Sequence, residues 1–425
     1  MTTVASSQIG AMPFASATSP RGGRGSLRDW LFVLGIVFFA FPLLAPAIND
    51  TVIYPYIFLG VVLLPSLRLT THNFWAFVAS ASTLGFCCLF DLSASLRMAA
   101  FYVSCLFVCS LLKNDRYRER LFKAACVHAS IVIGQFLLLF LDIEIDFSAL
   151  LRAVYGPLLP GTGTHIDYNA FSQLDFYFPR VAGLSREPAF AAVLFLGFCA
   201  ISLIERRFAR ASLFAVATVC SLSKIVVVLV PVYLMVLLST RMKARSSPIA
   251  IASHVVLFMT SQFVVLGAVS QFSDLIRDLA ALDASFYHRF IGLLTVATEP
   301  DKFDLIGSSW QKLSRLGEFS DYEFVDFQRG FFDGSVIPKM LTDFGYLPGF
   351  VYAAVVALLA RNWVCVLAVS FGGIFVNLLS VSPATVLTFV TLCGIGYRLP
   401  RTLDAIGQRQ ERAPRREISA LAAGR

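Results

Sequence analysis

Long apolar runs recur along nearly the whole chain and are broken by short polar connections. A membrane-spanning helix needs about 17–25 apolar residues, because inside a bilayer every backbone N–H and C=O must be paired within the segment. Twelve such runs can be drawn: Trp30 to Ile48, Val52 to Leu67, Phe74 to Phe90, Leu96 to Leu112, Leu121 to Leu141, Pro188 to Ile204, Phe208 to Cys220, Ile225 to Leu238, Pro248 to Gly267, Met340 to Ala360, Trp363 to Leu379 and Ala384 to Tyr397. Their connections alternate in charge. One set holds Arg21, Arg24 and Arg28, then Arg68, K-N-D-R-Y-R-E-R from Lys113, E-R-R-F-A-R from Glu205, R-M-K-A-R from Arg241, Arg361 and the tail after Tyr397. The short turns of the other set, Asn49 to Thr51, Asp91 to Ser95 and Ser380 to Pro383, carry no cation. The positive-inside rule makes the arginine-rich set cytoplasmic, with both termini inside.

Composition agrees with that pattern. Of 425 residues 57% are hydrophobic and 15% charged, and the mean hydropathy is +0.73, so the expected class is an all-α, polytopic integral membrane protein with about twelve transmembrane helices and two long extracytoplasmic loops. The net charge of +8 does not point to nucleic acid, because the cations sit at span ends and in the C-terminal tail, where orientation and membrane lipids account for them. All nine cysteines fall within proposed spans, so no disulfide framework is implied. Residues 1–29, rich in Ser, Ala, Gly and Arg, read as a disordered cytoplasmic tail. The stretch 30–397 reads as one membrane domain and 398–425 as a basic cytoplasmic tail. Ala45-Pro46-Ala47 resembles a signal-cleavage site, but a retained first span explains the charge alternation without cleavage.

Chemistry is expected in the two long outer loops, 142–187 and 268–339. In the second, Ser273 and Asp274 open a helix with Leu275, Leu279, Leu282, Phe286, Phe290 and Leu293 at helical spacing, expected to lie along the membrane interface. His288, Arg289 and Arg329 belong to this loop and suit an anion, because arginine donates bidentate hydrogen bonds to phosphate and stays charged. The densest constellation is R-V-A-G-L-S-R-E-P-A-F from Arg180 to Phe190. Pro188 fits the first turn of a helix and Glu187 its cap, so Glu187 reads either as an interfacial cap paired with Arg186 or as a general base flanked by Arg180 and Arg186. Asp142, Glu144 and Asp146 have a metal-like spacing only if extended, and a solvated span end is the preferred reading, so no metal or other cofactor is expected.

Four segments resemble, in order, those of bacterial Wzy-type polysaccharide polymerases, relatives of the O-antigen ligases. R-V-A-G-L-S-R-E-P-A-F-A is similar to the family's R-x-x-G-x-x-x-E-P span entrance. S-L-S-K at Ser221 to Lys224 resembles its T/S-x-S-R, F-Y-H-R at Phe286 with F-D-L-I-G-S at Phe303 its R…L-x-G-x-G loop, and M-L-T-D-F-G-Y-L-P-G at Met340 its re-entry span. The resemblance covers residues 180–352 and implies a metal-independent glycosyltransferase in the bacterial inner membrane. Its implied donor is an isoprenoid-diphosphate-linked oligosaccharide, and a chain-length regulator or export protein is a further candidate partner. It assigns Lys224 and Arg289 to the diphosphate, with lysine standing where the family has arginine. F-F-D-G-S-V lies where the ligases carry a His-Asn, a departure that favours polymerase over ligase and leaves Glu187 and Asp333 as the base candidates. A lipid-linked-glycan transporter or flippase is the alternative from another class, disfavoured by the placement of nearly every charge at span ends.

Overall fold

The computed structural model describes residues 26–48, 51–63, 92–145, 147, 166–167, 180–242, 247–282, 284–314, 332 and 334–395. The proposed span Phe74 to Phe90, residues 1–25, the C-terminal tail and much of both long loops lie outside the described residues, while residues 27–29, expected to belong to the tail, open α1. Among the described residues the fold is helical apart from two two-stranded antiparallel ladders, β1 (Ala47–Ile48) with β2 (Thr51–Val52) and β3 (Ile166–Asp167) with β4 (Arg180–Val181). The helices are α1 (Leu27–Ala40), α2 (Pro55–Leu63), α3 (Leu92–Lys113), α4 (Asp115–Leu139), α5 (Pro188–Ile204), α6 (Phe208–Cys220), α7 (Ile225–Ser239) and α8 (Pro248–Gln271). They continue with α9 (Ser273–Leu282), α10 (Ala284–Thr298), α11 (Trp310–Leu313), α12 (Val336–Asp343), α13 (Tyr346–Leu359), α14 (Trp363–Phe375) and α15 (Pro383–Leu392).

Local chemistry sets many of the starts. Asn114 accepts from the N–H groups of Arg116 and Tyr117 to open α4, and Asn362 does the same for Cys365 in α14. Ser247-Pro248 and Ser382-Pro383 combine a hydroxyl cap with a proline at the first helical position, where no N–H is needed. Pro188 plays the same part behind Glu187.

Among the described residues three helices are long and apolar enough to cross a membrane: α3 from Ser95 to Lys113, α4, and α8. Seven further apolar helical stretches run only 10–17 residues. At 1.5 Å per residue these rise about 15–25 Å, short of a hydrocarbon core about 30 Å thick. The stretch Trp30 to Ile48, expected to be one span, is helical only to Ala40; a short 3₁₀ turn and the β1–β2 ladder follow. The expected span Met340 to Ala360 is likewise two helices, α12 and α13, broken at Phe344–Gly345.

α5 stands at the centre of the bundle, nearly every residue buried, packed against α6, α7 and α15. Phe122, Phe195, Phe198 and Phe214 stack and meet edge to face where α4, α5 and α6 join. α15 is buried over its whole length, and the Tyr233 hydroxyl of α7 donates to Thr388 within it.

One end of the bundle gathers arginine-rich connections. The Tyr117 hydroxyl donates to Asp29 at 2.6 Å, Arg116 pairs with Asp29 at 3.1 Å, Arg118 with Glu205 at 3.0 Å and Arg210 with Glu119 at 2.9 Å. The Tyr117 hydrogen bond, then the Arg116 charge, hold the Asp29 carboxyl below its usual range against the opposing effect of burial. Burial pushes Glu205 the other way, up, although Arg118 beside it pulls it down.

Candidate active site at the start of α5

The turn within the segment from Arg180 to Glu187 is anchored beside the inner turns of α4 rather than at that helix's end. The Gly183 N–H donates to Gln135 Oε1 at 3.0 Å and the Leu184 N–H to His128 Nε2 at 3.0 Å, both on α4. Gln135 also donates to the Ile145 carbonyl at 2.8 Å, tying the two ends of the first long loop to one side chain. A Cβ on Gly183 would collide with Val132 and approach His128 at 3.1 Å, and the glycine has φ +59°. The turn is therefore level with Val132, about 10 Å of helix rise below the end of α4 at Leu139 and near the middle of that helix. Only glycine fits, because the backbone conformation and the close approach each disfavour a side chain.

His128 fixes a third strand of backbone to this point. Its Nδ1 lies 2.8 Å from the Ala40 carbonyl, where α1 ends, which makes Nδ1 the protonated nitrogen and leaves Nε2 free to accept from Leu184. Leu43 donates to the Leu184 carbonyl at 2.9 Å. Non-helical backbone at this depth survives only where its polar groups find protein partners or line a wet cavity. His128 and Gln135, two polar residues seven apart on one face of α4, supply those partners; both are buried. Sequence reasoning passed over them, although a polar pair at that spacing on an apolar helix was the available signal.

From this anchored turn Arg186 and Glu187 emerge at the head of α5. Glu187 occupies the N-cap with extended backbone, as its sequence suggested, but its side chain makes no capping hydrogen bond and is exposed. Arg186 is half-buried, within hydrogen-bonding reach of the Tyr54 hydroxyl, which also feels the charge of Glu187. Arg180 lies in β4 opposite Asp167 of β3. The structure thus gathers Arg180, Arg186, Glu187 and Tyr54 about one turn. Lys224 is exposed immediately before α7. α5 and α7 begin at matching levels, since Gly197, nine residues into α5, faces the hydroxyl of Tyr233, eight residues into α7.

The remaining candidates belong to a second region. Arg289 is half-buried on α10, which packs against α8 and α12; Ile291, Leu293 and Leu294 form a core with Val269 and Ile374. Gly292 faces Pro338 so closely that a Cβ would come to 2.8 Å, placing Arg289, one turn earlier, beside the start of α12. Two of the sequence motifs meet here: Gly307 and Ser309 donate to the Phe344 and Thr342 carbonyls, and Tyr346 and Leu347 to those of Asp304 and Leu305, all at 2.9–3.1 Å. Lys339 and Asp343, one turn apart in α12, form a buried pair at 2.9 Å, with Arg97 of α3 at 4.0 Å from the same carboxylate. The sequence reading missed this pair. Asp343 stands within M-L-T-D-F-G-Y-L-P-G, whose acid was not singled out.

His288 falls in α10, but its side chain, like Arg329 and Asp333 altogether, lies outside the described residues. Asp142 sits in a turn with φ +56°, residues 143–145 are non-helical, and Asp146 lies outside the described residues. Among the described residues no group of three or more His, Cys, Asp or Glu is placed to hold a metal. Compared with known protein families, with curated proteins and with solved structures, the chain matches none.

Proposed function

We propose that this chain is a bacterial inner-membrane glycosyltransferase that joins isoprenoid-diphosphate-linked oligosaccharide repeat units into an exopolysaccharide or O-antigen-type polymer. In this reading all twelve apolar runs lie in the membrane, the short helices completed by non-helical backbone, with both long loops outside and both termini in the cytoplasm. The observation that carries it is the Arg186–Glu187 pair at the head of α5, raised on a turn whose backbone polar groups are satisfied by His128 and Gln135.

Such a pair suits the reaction. Arg180, Arg186 and Lys224, with Arg289 from the second region, hold the diphosphate of the donor. Glu187 takes the proton of the acceptor hydroxyl as its oxygen bonds to the anomeric carbon; the bond from that carbon to the diphosphate oxygen breaks, and the isoprenyl diphosphate leaves. Fixed cations stabilise the charge that grows on the leaving group most strongly in the transition state. Asp333 is the competing base.

A second reading, a transporter or flippase of a lipid-linked glycan, is favoured by one observation: helix starts bearing charge near the middle of α4 are where transporters built on broken helices bind anionic substrates. Deletion followed by glycan analysis separates the possibilities. Loss of a polymerase leaves single lipid-linked repeat units exposed outside, and loss of an O-antigen ligase leaves finished polymer on its lipid carrier. Loss of a flippase leaves repeat units facing the cytoplasm, and that last outcome would sink the polymerase reading.

A further inference from the structure

At the arginine-gathering end of the bundle, α1 and α4 run side by side and enclose a groove of about 400 Å³. Its head is charged. Arg116 and Arg120 line it together with Asp29, whose carboxyl feels both charges, so two arginines face a single carboxylate. Arg116 is hydrogen-bonded to Asp29, whereas the side chain of the half-buried Arg120 acts on Asp29 by charge and makes no hydrogen bond among the described residues. The groove changes character along its length: Val33 and Val37 of α1 and Ala124 of α4 form the wall beyond the arginines, one to two turns deeper. Trp30 stands at the mouth, two-thirds exposed, as tryptophans do at a membrane–water interface.

We propose that this groove binds an anionic glycerophospholipid of the adjoining leaflet, its phosphate on Arg120 and Arg116 and an acyl chain along Val33, Val37 and Ala124. A free phosphate or a nucleotide would use the arginines but leave the apolar wall empty. A neutral phospholipid would fill the wall but leave an excess of positive charge uncompensated. Only a ligand with both parts matches the gradient, and a basic cluster beside an apolar helix surface is the general form of such sites. The groove lies at the opposite end of α4 from its outer terminus at Leu139 and does not depend on the reaction proposed above.

The test uses the full chain purified in detergent and offered equal amounts of phosphatidylglycerol and phosphatidylcholine, with bound lipid counted by native mass spectrometry. The wild type should retain phosphatidylglycerol under conditions that strip phosphatidylcholine. Arg120→Gln should weaken that retention about fivefold, the effect of one basic residue at an anionic surface. Val33→Trp, which fills the wall without altering charge, should weaken it as well, while Arg241→Gln, an exposed cation elsewhere, should not. Retention equal to wild type in both groove variants, or full displacement of the lipid by millimolar inorganic phosphate, would overturn the proposal.

Discussion

Two regions of this protein are built on the same device and end in opposite electrostatic states. At Gly183 and at Gly345 the chain turns through positive φ, at +59° and +87°, in a place where a side chain would strike a neighbour, and each turn is followed closely by a helix. Around Gly345 the backbone is held by backbone: the 303–309 stretch and the end of α12 exchange hydrogen bonds, and the charges of Lys339 and Asp343 are buried against each other. Around Gly183 the backbone is held by two side chains of α4, and the charges that follow, Arg186 and Glu187, remain accessible. A buried, mutually compensated pair suits a structural part, whereas an exposed carboxylate beside a guanidinium suits contact with a ligand. Under the proposed function Glu187 works at the first turn, while the Lys339–Asp343 pair holds the second in place beside Arg289.

The largest effect on stability is expected in the second region. Asp343→Ala strands Lys339 in a buried site, a loss of about 3–5 kcal/mol, read as a lowered yield of monodisperse protein and a lower Tm. Pairing it with Lys339→Met should recover much of the loss; a double variant no better than Asp343→Ala would break the comparison. Gly183→Ala adds a methyl against Val132 in a left-handed conformation and should cost about 2–4 kcal/mol. Gln135→Leu leaves the Gly183 N–H and the Ile145 carbonyl without their partner, at about 1–3 kcal/mol, and should lower polymerising activity further than Tm, because the turn that carries Glu187 loses its register.

The smallest effect is expected at the other end, where partly exposed pairs are worth about 0–1 kcal/mol. Asp29 is held below its usual carboxylate range, so its contribution is present above the unfolded value and is lost as pH falls through the lowered folded one. Glu205 is raised, and the sign reverses: its contribution is present below the unfolded value and is lost as pH rises through the folded one. Asp29→Asn should therefore flatten the acid limb of the Tm–pH curve slightly. An unchanged acid limb would remove Asp29 from the account.

Much of the helical layout was legible because it is written locally. Pro188 and Pro248 mark starts that the structure places at the expected residues, and most of the described apolar runs hold a helix, although α1 stops at Ala40, α15 stops at Leu392 and Met340 to Ala360 holds two helices. The depth of the turn was not legible. Trp30 to Ile48 is uniformly apolar, and hydropathy does not distinguish a helix from unwound backbone whose hydrogen bonds go to His128, far along the chain. Glu187 and Arg186 stand out as candidates in the sequence because proline and a flanking arginine advertise them. Tyr54 and the Lys339–Asp343 pair were not, because each acquires its meaning only from a partner brought in by the fold.

The most direct test of the central claim is polymerisation of purified lipid-linked repeat units by Glu187→Gln and Asp333→Asn. Glu187→Gln keeps the shape and removes the proton acceptor, so donor binding should persist. Turnover should fall by roughly 30- to 1,000-fold, the equivalent of about 2–4 kcal/mol of transition-state stabilisation, and Asp333→Asn should be milder. Near-wild-type polymerisation by a folded Glu187→Gln protein, with Asp333→Asn inactive, would move the base to Asp333 and leave the turn at Gly183 a structural one.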